Sequence, residues 1–186
     1  MNDLTRRKKH EDFGPNGAPG RRILGIDPGL ASTGWGVVDD KNGAVKYVDH
    51  GMIVTKADCR RADRLFFILL TIRSIIEKFK PTEAAIETLY FGKNVSSAIP
   101  VAEARGVISA AIAEKGIPLH EFTPNAIKLG VTGAKSADKK QVQEMVRLIL
   151  GLEENPKPDH CADALGAAIC AANCGDVPGN IKIPRG

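Results

Sequence analysis

Residues 23–38 read ILGIDPGLASTGWGVV. Ile23, Leu24 and Ile26 predict a buried strand, yet the strand runs straight into Asp27. A carboxylate that enters a core unpaired loses several kcal/mol of solvation, so an acid at this point needs a compensating charge. Pro28-Gly29 turns the chain, residues 33–39 predict a second strand, and Lys41-Asn42-Gly43 separates it from a third at 44–54. Connections this short predict an antiparallel meander.

Beyond the meander the apolar period changes from two to between three and four. Leu65, Leu69, Ile72, Ile76 and Phe79 predict a helix over 60–79, which Pro81 ends. AAIET, 84–88, predicts a buried strand, 95–115 a second helix stopped by Gly116, and PLHEFT, 118–123, a fifth strand. Helices at 136–150, ended by Gly151, and 159–172 complete the order βββ-α-β-α-β-α-α. That order implies an α/β fold, a five-stranded mixed sheet flanked by helices. In the second helix Ala98, Ala102, Gly106 and Ala110 form a stripe of small side chains that admits a close backbone neighbour, either the protein's own sheet, the expected one, or the same helix of a second subunit.

Composition bounds the rest. A chain of 186 residues with 43% hydrophobic content fits one domain with an ordinary core. No apolar run approaches the roughly 18 to 20 residues of a membrane span, and no hydrophobic stretch follows the basic residues of the N-terminus, so a cytoplasmic protein is expected. Cys59, Cys161, Cys170 and Cys174 then read as reduced thiols; Cys170 and Cys174, one helical turn apart, are expected to be core residues rather than partners of His160 in a metal site. Of the net charge of +4, residues 1–22 supply six Lys/Arg against three Asp/Glu, leaving twenty against nineteen elsewhere. Any anion-binding surface must therefore be local. Residues 1–22 are expected to be a disordered basic arm, 23–174 the folded domain and 175–186 a flexible tail.

Asp27 has company. AAIET leads through apolar residues to Glu87, and DHCADALGAAIC places His160 and Asp163 three apart on one helical face, with Asp163 entering the apolar run 164–169. Plainer roles exist for each: a turn for Asp27, an arginine partner for Glu87, the positive end of a helix for Asp163, and for Asp159 the N-cap. Together, three inward-facing acids and an imidazole need a shared cation, and no basic residue lies within their apolar segments. Hard oxygen ligands without a thiolate suit Mg²⁺ or Mn²⁺. Two such ions, about 3.5 to 4 Å apart, would clamp the attacking and leaving oxygens of a phosphodiester displacement.

The segments GIDPGLASTGWGVV, AIETLYFGKNVSSA, AEARGVI and DHCADALGAAI resemble, in order and spacing, those of the RuvC-type Holliday junction resolvases. The resemblance covers about residues 22–174. It implies an RNase H-like fold, a homodimer, the RuvAB branch-migration complex as partner, and Mg²⁺-dependent cutting of four-way DNA junctions in recombination and repair, with 5′-phosphate and 3′-hydroxyl products. Asp27, Glu87 and Asp163 match the family's catalytic, metal-binding acids. His160 stands where some members have Asp and others His, which leaves the choice of Mg²⁺ or Mn²⁺ open. Tyr90 matches an aromatic position that stacks on an unpaired base.

The remaining DNA surface follows from charge. Lys93 and Asn94 share the loop of Tyr90 and Phe91, within reach of phosphate. Residues 128–147 carry five basic against two acidic side chains, with Lys128, Lys135, Lys139 and Lys140 around Ser136, a candidate N-cap whose free N–H groups attract phosphate. An actin-like or sugar-kinase-like ATPase, suggested by GIDPG, needs two such domains in a longer chain. A non-catalytic junction-binding scaffold and an RNase H-like nuclease of RNA or flaps are the other readings.

Overall fold

A computed structural model describes residues 20–88 and 95–174, without the side chains of 95–97. Arg21–Asp27 forms β1, Ser32–Lys41 β2, Ala44–Val54 β3, Arg61–Phe79 α1, Glu83–Glu87 β4, Val95–Glu114 α2, Leu119–Phe122 β5, Pro124–Thr132 α3, Lys139–Leu150 α4 and Asp159–Cys174 α5. The sheet runs β3-β2-β1-β4-β5. Its first three strands form the expected antiparallel meander, and β4 and β5 continue it in parallel. The hairpin between β2 and β3 turns at Asn42 and Gly43, both with positive φ, as a two-residue turn matched to strand twist demands.

Alternation sends the central strands into two cores. Leu24, Ile26, Val37 and Ile86 pack against α1 and α2, while Ile23, Val38 and Ala85 pack against α5, with α3 and α4 beyond it. A helix apolar all round must be buried, and α5 has eleven of its sixteen residues buried. Its small side chains allow it to lie directly on β1 and β2, whose matching positions are Gly25, Gly34 and Gly36. A Cβ at Gly25 would stand 2.0 Å from the Ala164 carbonyl oxygen, and one at Gly34 2.1 Å from that of His160.

Several expectations change. β1 begins at Arg21, so Arg21 and Arg22, assigned to the arm, belong to the sheet: Arg21 reaches Glu83 and Asp40, and Arg22 reaches Asp39. A short helix, α3, precedes the fourth; its nine residues are too few for a clear period. Asp138, not Ser136, caps α4, accepting from the Gln141 backbone N–H while the Gln141 side chain accepts from its own. Asp159 is the first residue of α5, not its N-cap, and its carboxylate pairs with Lys139. The small-residue stripe does not lie on the sheet: Ala98 is buried, but Gly106 and Ala110 are exposed, and a Cβ at Gly106 would meet nothing within 4 Å. All four cysteines are free thiols, and Cys170 faces the Ala126 carbonyl, far along α5 from His160. The expected arm up to residue 19 and the tail 175–186 lie outside the described residues.

Candidate active site

Asp27 ends β1 and Glu87 ends β4. The parallel register pairs Ile26 with Ile86, so the next residues along, the two acids, leave neighbouring strands at the same sheet end, about 4.8 Å apart between strands. Side-chain alternation turns both toward α5. Because the sheet glycines let the first turn of α5 settle over β1 and β2, His160 and Asp163 arrive at the same point. His160 Nδ1 lies 2.6 Å from Asp27 Oδ2, and ligand atoms of Asp27, His160 and Asp163 all fall within 4.8 Å of one another. Glu87 stands just outside that tight group but is electrostatically coupled to it.

The charges disturb one another. Burial lifts the Asp27 carboxyl above its usual range, against the stabilising hydrogen bond from His160, and the Asp163 charge adds to the rise. Burial, then repulsion from Asp27 and Asp163, pushes Glu87 up to about 7. A carboxyl held that high is a group whose environment is built to accept positive charge.

One cation is already nearby. Lys139, at the start of α4, places Nζ 3.2 Å from Asp159 and 3.4 Å from Asp163. Burial opposes its charge, but the two carboxylates outweigh that and hold the ammonium protonated above its ordinary range. Lys139 was expected among phosphate-binding lysines around Ser136; it stands on the acids, and because it comes from α4 the expectation that no basic residue lies within the acids' own apolar segments is unaffected. A cavity of about 190 Å³ opens beside them, lined by Glu87, Asp163, Lys139, Lys128, Ile127 and their neighbours. Lys140 faces a separate hollow with Ser136 and Gln141, and Lys135 is exposed. Tyr90, Phe91, Lys93 and Asn94 lie outside the described residues.

Two contributions escaped the sequence reading. Lys139 could not be tied to Asp163, since twenty-odd residues separate them. The glycines left a signal: Gly34 and Gly36 sit two apart in β2, on one face of the strand, where missing side chains mean a close neighbour.

Comparison with known proteins agrees with this geometry. The family model for the crossover junction endodeoxyribonuclease RuvC matches residues 23–171. A crossover junction endodeoxyribonuclease RuvC of Treponema denticola is 50% identical over 155 residues, covering 83% of this chain and 87% of that protein. That of Chloroflexus aurantiacus is 50% identical over 151 residues, 81% of this chain and 92% of its own. Among solved structures, Thermus thermophilus RuvC in complex with Holliday junction substrate superposes with a TM-score of 0.79 at 31% identity, over 83% of this chain and 94% of that one. The fold is accordingly RNase H-like.

Proposed function

Because the chain belongs to the RuvC family of crossover junction endodeoxyribonucleases, we propose that it resolves four-way DNA junctions by hydrolysing phosphodiester bonds at the acid cluster. The observation that carries this reading is the convergence of Asp27, His160 and Asp163 within 4.8 Å, with Glu87 beside them.

The donor set fits a divalent cation. Three carboxylates face one ammonium, so negative charge is in excess, and oxygen donors with one imidazole suit Mg²⁺, with Mn²⁺ as a substitute. Asp27, Glu87, His160 and Asp163 are the proposed ligands, of two ions per site. When bound, such ions activate a water and neutralise the leaving oxygen.

The chain's own groups do the positioning. His160 Nδ1 is held by Asp27; a neutral ring donating there carries its lone pair on Nε2, and 45% of the side chain is exposed. Lys139 stays protonated and limits repulsion between Asp163 and an approaching phosphate. Lys128, on the same cavity wall, offers a second positive charge to the DNA backbone. Lys135, Lys140, Lys93 and Asn94 are proposed backbone contacts, and Tyr90 a stacking platform, worth about 1 to 3 kcal/mol per base.

A homodimer would present two such sites to opposite strands. It is supported by Phe66 and Leu70 of α1 and Ile99 of α2, which are exposed among the described residues, as are Gly106 and Ala110. The RuvAB complex is the partner implied by resemblance. The proposed domain is 23–174, extended to Arg21 by β1, and the proposed location is the cytoplasm; among the described residues no helix is long and apolar enough to cross a membrane.

The test is cleavage of a synthetic four-way junction in Mg²⁺, compared with linear duplex, RNA–DNA hybrid and flap. Asp163→Asn is expected to bind the junction and not cut it; cutting at the normal rate would refute the site assignment. Equal cutting of flap or hybrid by the unaltered protein would refute the substrate.

A further inference from the structure

Eight arginines fall among the described residues, and seven of them reach a carboxylate within 3.4 Å. Arg64 is the exception. Its Nε–H donates to Thr55 Oγ1 at 2.8 Å, and that hydroxyl donates onward to the Leu30 carbonyl at 2.5 Å. Thr55 is fixed in turn by its backbone N–H, which donates to Ala31 at 3.0 Å. Thr55 thus holds one edge of the guanidinium, while the NH1 and NH2 fork has no partner among the described residues.

This charge is badly placed for a structural one. Arg64 is half-buried and lies in the first turn of α1, where unpaired backbone N–H groups already make the potential positive. The two neighbouring charges are neutralised, Arg60 by Asp63 and Arg61 by Glu103. Partly desolvating a cation without a counter-charge costs free energy unless an anion arrives. A planar fork with one edge fixed matches two oxygens of a phosphate.

Position supplies the anion. Leu30 and Ala31 belong to the loop that leaves the sheet at Asp27, so Arg64 is tied by two hydrogen bonds to a segment at most about 10 Å of chain from that acid. Leu30 packs in the core shared with α1 and α2, whereas His160 and Asp163 approach from α5 on the other face. We propose that Arg64 is a phosphate-binding residue of the nuclease, gripping the DNA backbone a few nucleotides from the scissile bond on the α1 side of the sheet end.

The proposal rests on the reading of the chain as a junction nuclease, and the experiment separates the two. Junction affinity of the full-length protein is measured by fluorescence anisotropy across a salt series. Arg64→Gln and Arg64→Met, the latter keeping the aliphatic stem, are expected to weaken binding about tenfold and to reduce the slope of log Kd against log salt by about 0.9 per protomer engaged. Arg64→Lys is expected to keep the slope, because the charge remains. Inorganic phosphate alone is expected to leave the melting temperature unchanged; a phosphate-induced shift lost in Arg64→Gln would make the ligand a free anion and overturn the DNA assignment. Folded Gln and Met variants with unaltered slope and Kd would overturn it too, and failure of both to fold would assign Arg64 to the structure alone. An unaltered protein that does not bind junctions would refute the function itself.

Discussion

Replacing Gly34 by alanine is expected to slow cleavage on the order of a hundredfold while leaving most of the fold standing. The added Cβ would lie 2.1 Å from the His160 carbonyl oxygen, about 1.3 Å short of the 3.4 Å at which ordinary contact begins. The two nearest obstructing atoms, the carbonyl oxygen and carbon of His160, are main chain, so the strain cannot be relieved by turning a side chain; the first turn of α5 must lift off β2. A lift of that size would stretch the 2.6 Å contact between His160 Nδ1 and Asp27 Oδ2 to about 3.9 Å, beyond hydrogen-bond range, and carry Asp163 away with it. Overpacking of this kind costs about 1 to 3 kcal/mol, which for a domain of this size lowers Tm by roughly 3 to 10 °C. A misplacement of about 1 Å at a reacting centre costs on the order of a hundredfold in rate. Single-turnover cleavage of a four-way junction at saturating protein, with thermal melting in parallel, gives both numbers. Cleavage within about threefold of the unaltered rate at an unchanged Tm would refute the claim that the glycine column sets the position of α5.

Three further outcomes follow from the same geometry. Glu87, raised from 4.5 to about 7, binds its proton more tightly folded than unfolded, so its contribution to the stability of the metal-free protein falls as pH rises from about 4.5 to 7; divalent ions compete for the same carboxylate, and the Tm gain from Mn²⁺ should be small near pH 5.5 and full by pH 8, as differential scanning fluorimetry would show. Glu83 behaves oppositely: the hydrogen bonds from Arg21 hold its carboxyl below the usual range, its contribution is present above about pH 4.5 and lost as pH falls through the depressed folded value, and Glu83→Gln should destabilise by about 2 kcal/mol at neutral pH and less in acid, read from urea melts. Asp138→Ala removes the α4 capping box and should cost about 1 kcal/mol; because Lys139 is the next residue, the variant should also weaken junction cleavage more than a cap at an uninvolved helix would.

What the sequence determined by itself is the set of elements and the list of acids. Apolar periods of two and of three to four are local properties, so ILGID, AAIET and the run after Asp163 announced two strands and a helix, each delivering a carboxylate whose burial demanded a partner. The boundaries moved where side chains from distant segments intervened: β1 extends back to Arg21 because Glu83 and Asp40 receive its guanidinium, and α4 starts after Asp138 rather than Ser136 because only Asp138 closes the capping box. The small stripe of α2 was misassigned for a related reason, since a helix can present the same alanines to its own sheet or away from it, and Ala104, Ile108 and Ile112 took the inward face.

Only the tertiary structure decided which of these groups meet. Asp27 and His160 are separated by 133 residues, and nothing in local chemistry says how closely α5 will approach the sheet. That distance is set by steric exclusion between Gly25 and Gly34 and the α5 main chain, and between Gly36 and Leu165. The same packing brought Lys139 onto Asp163 and left Arg64 without an acid among the described residues. Charge pairing across the fold depends on distances that arise only once the two cores have closed on either side of the strands, so residue type named the candidates and packing chose among them.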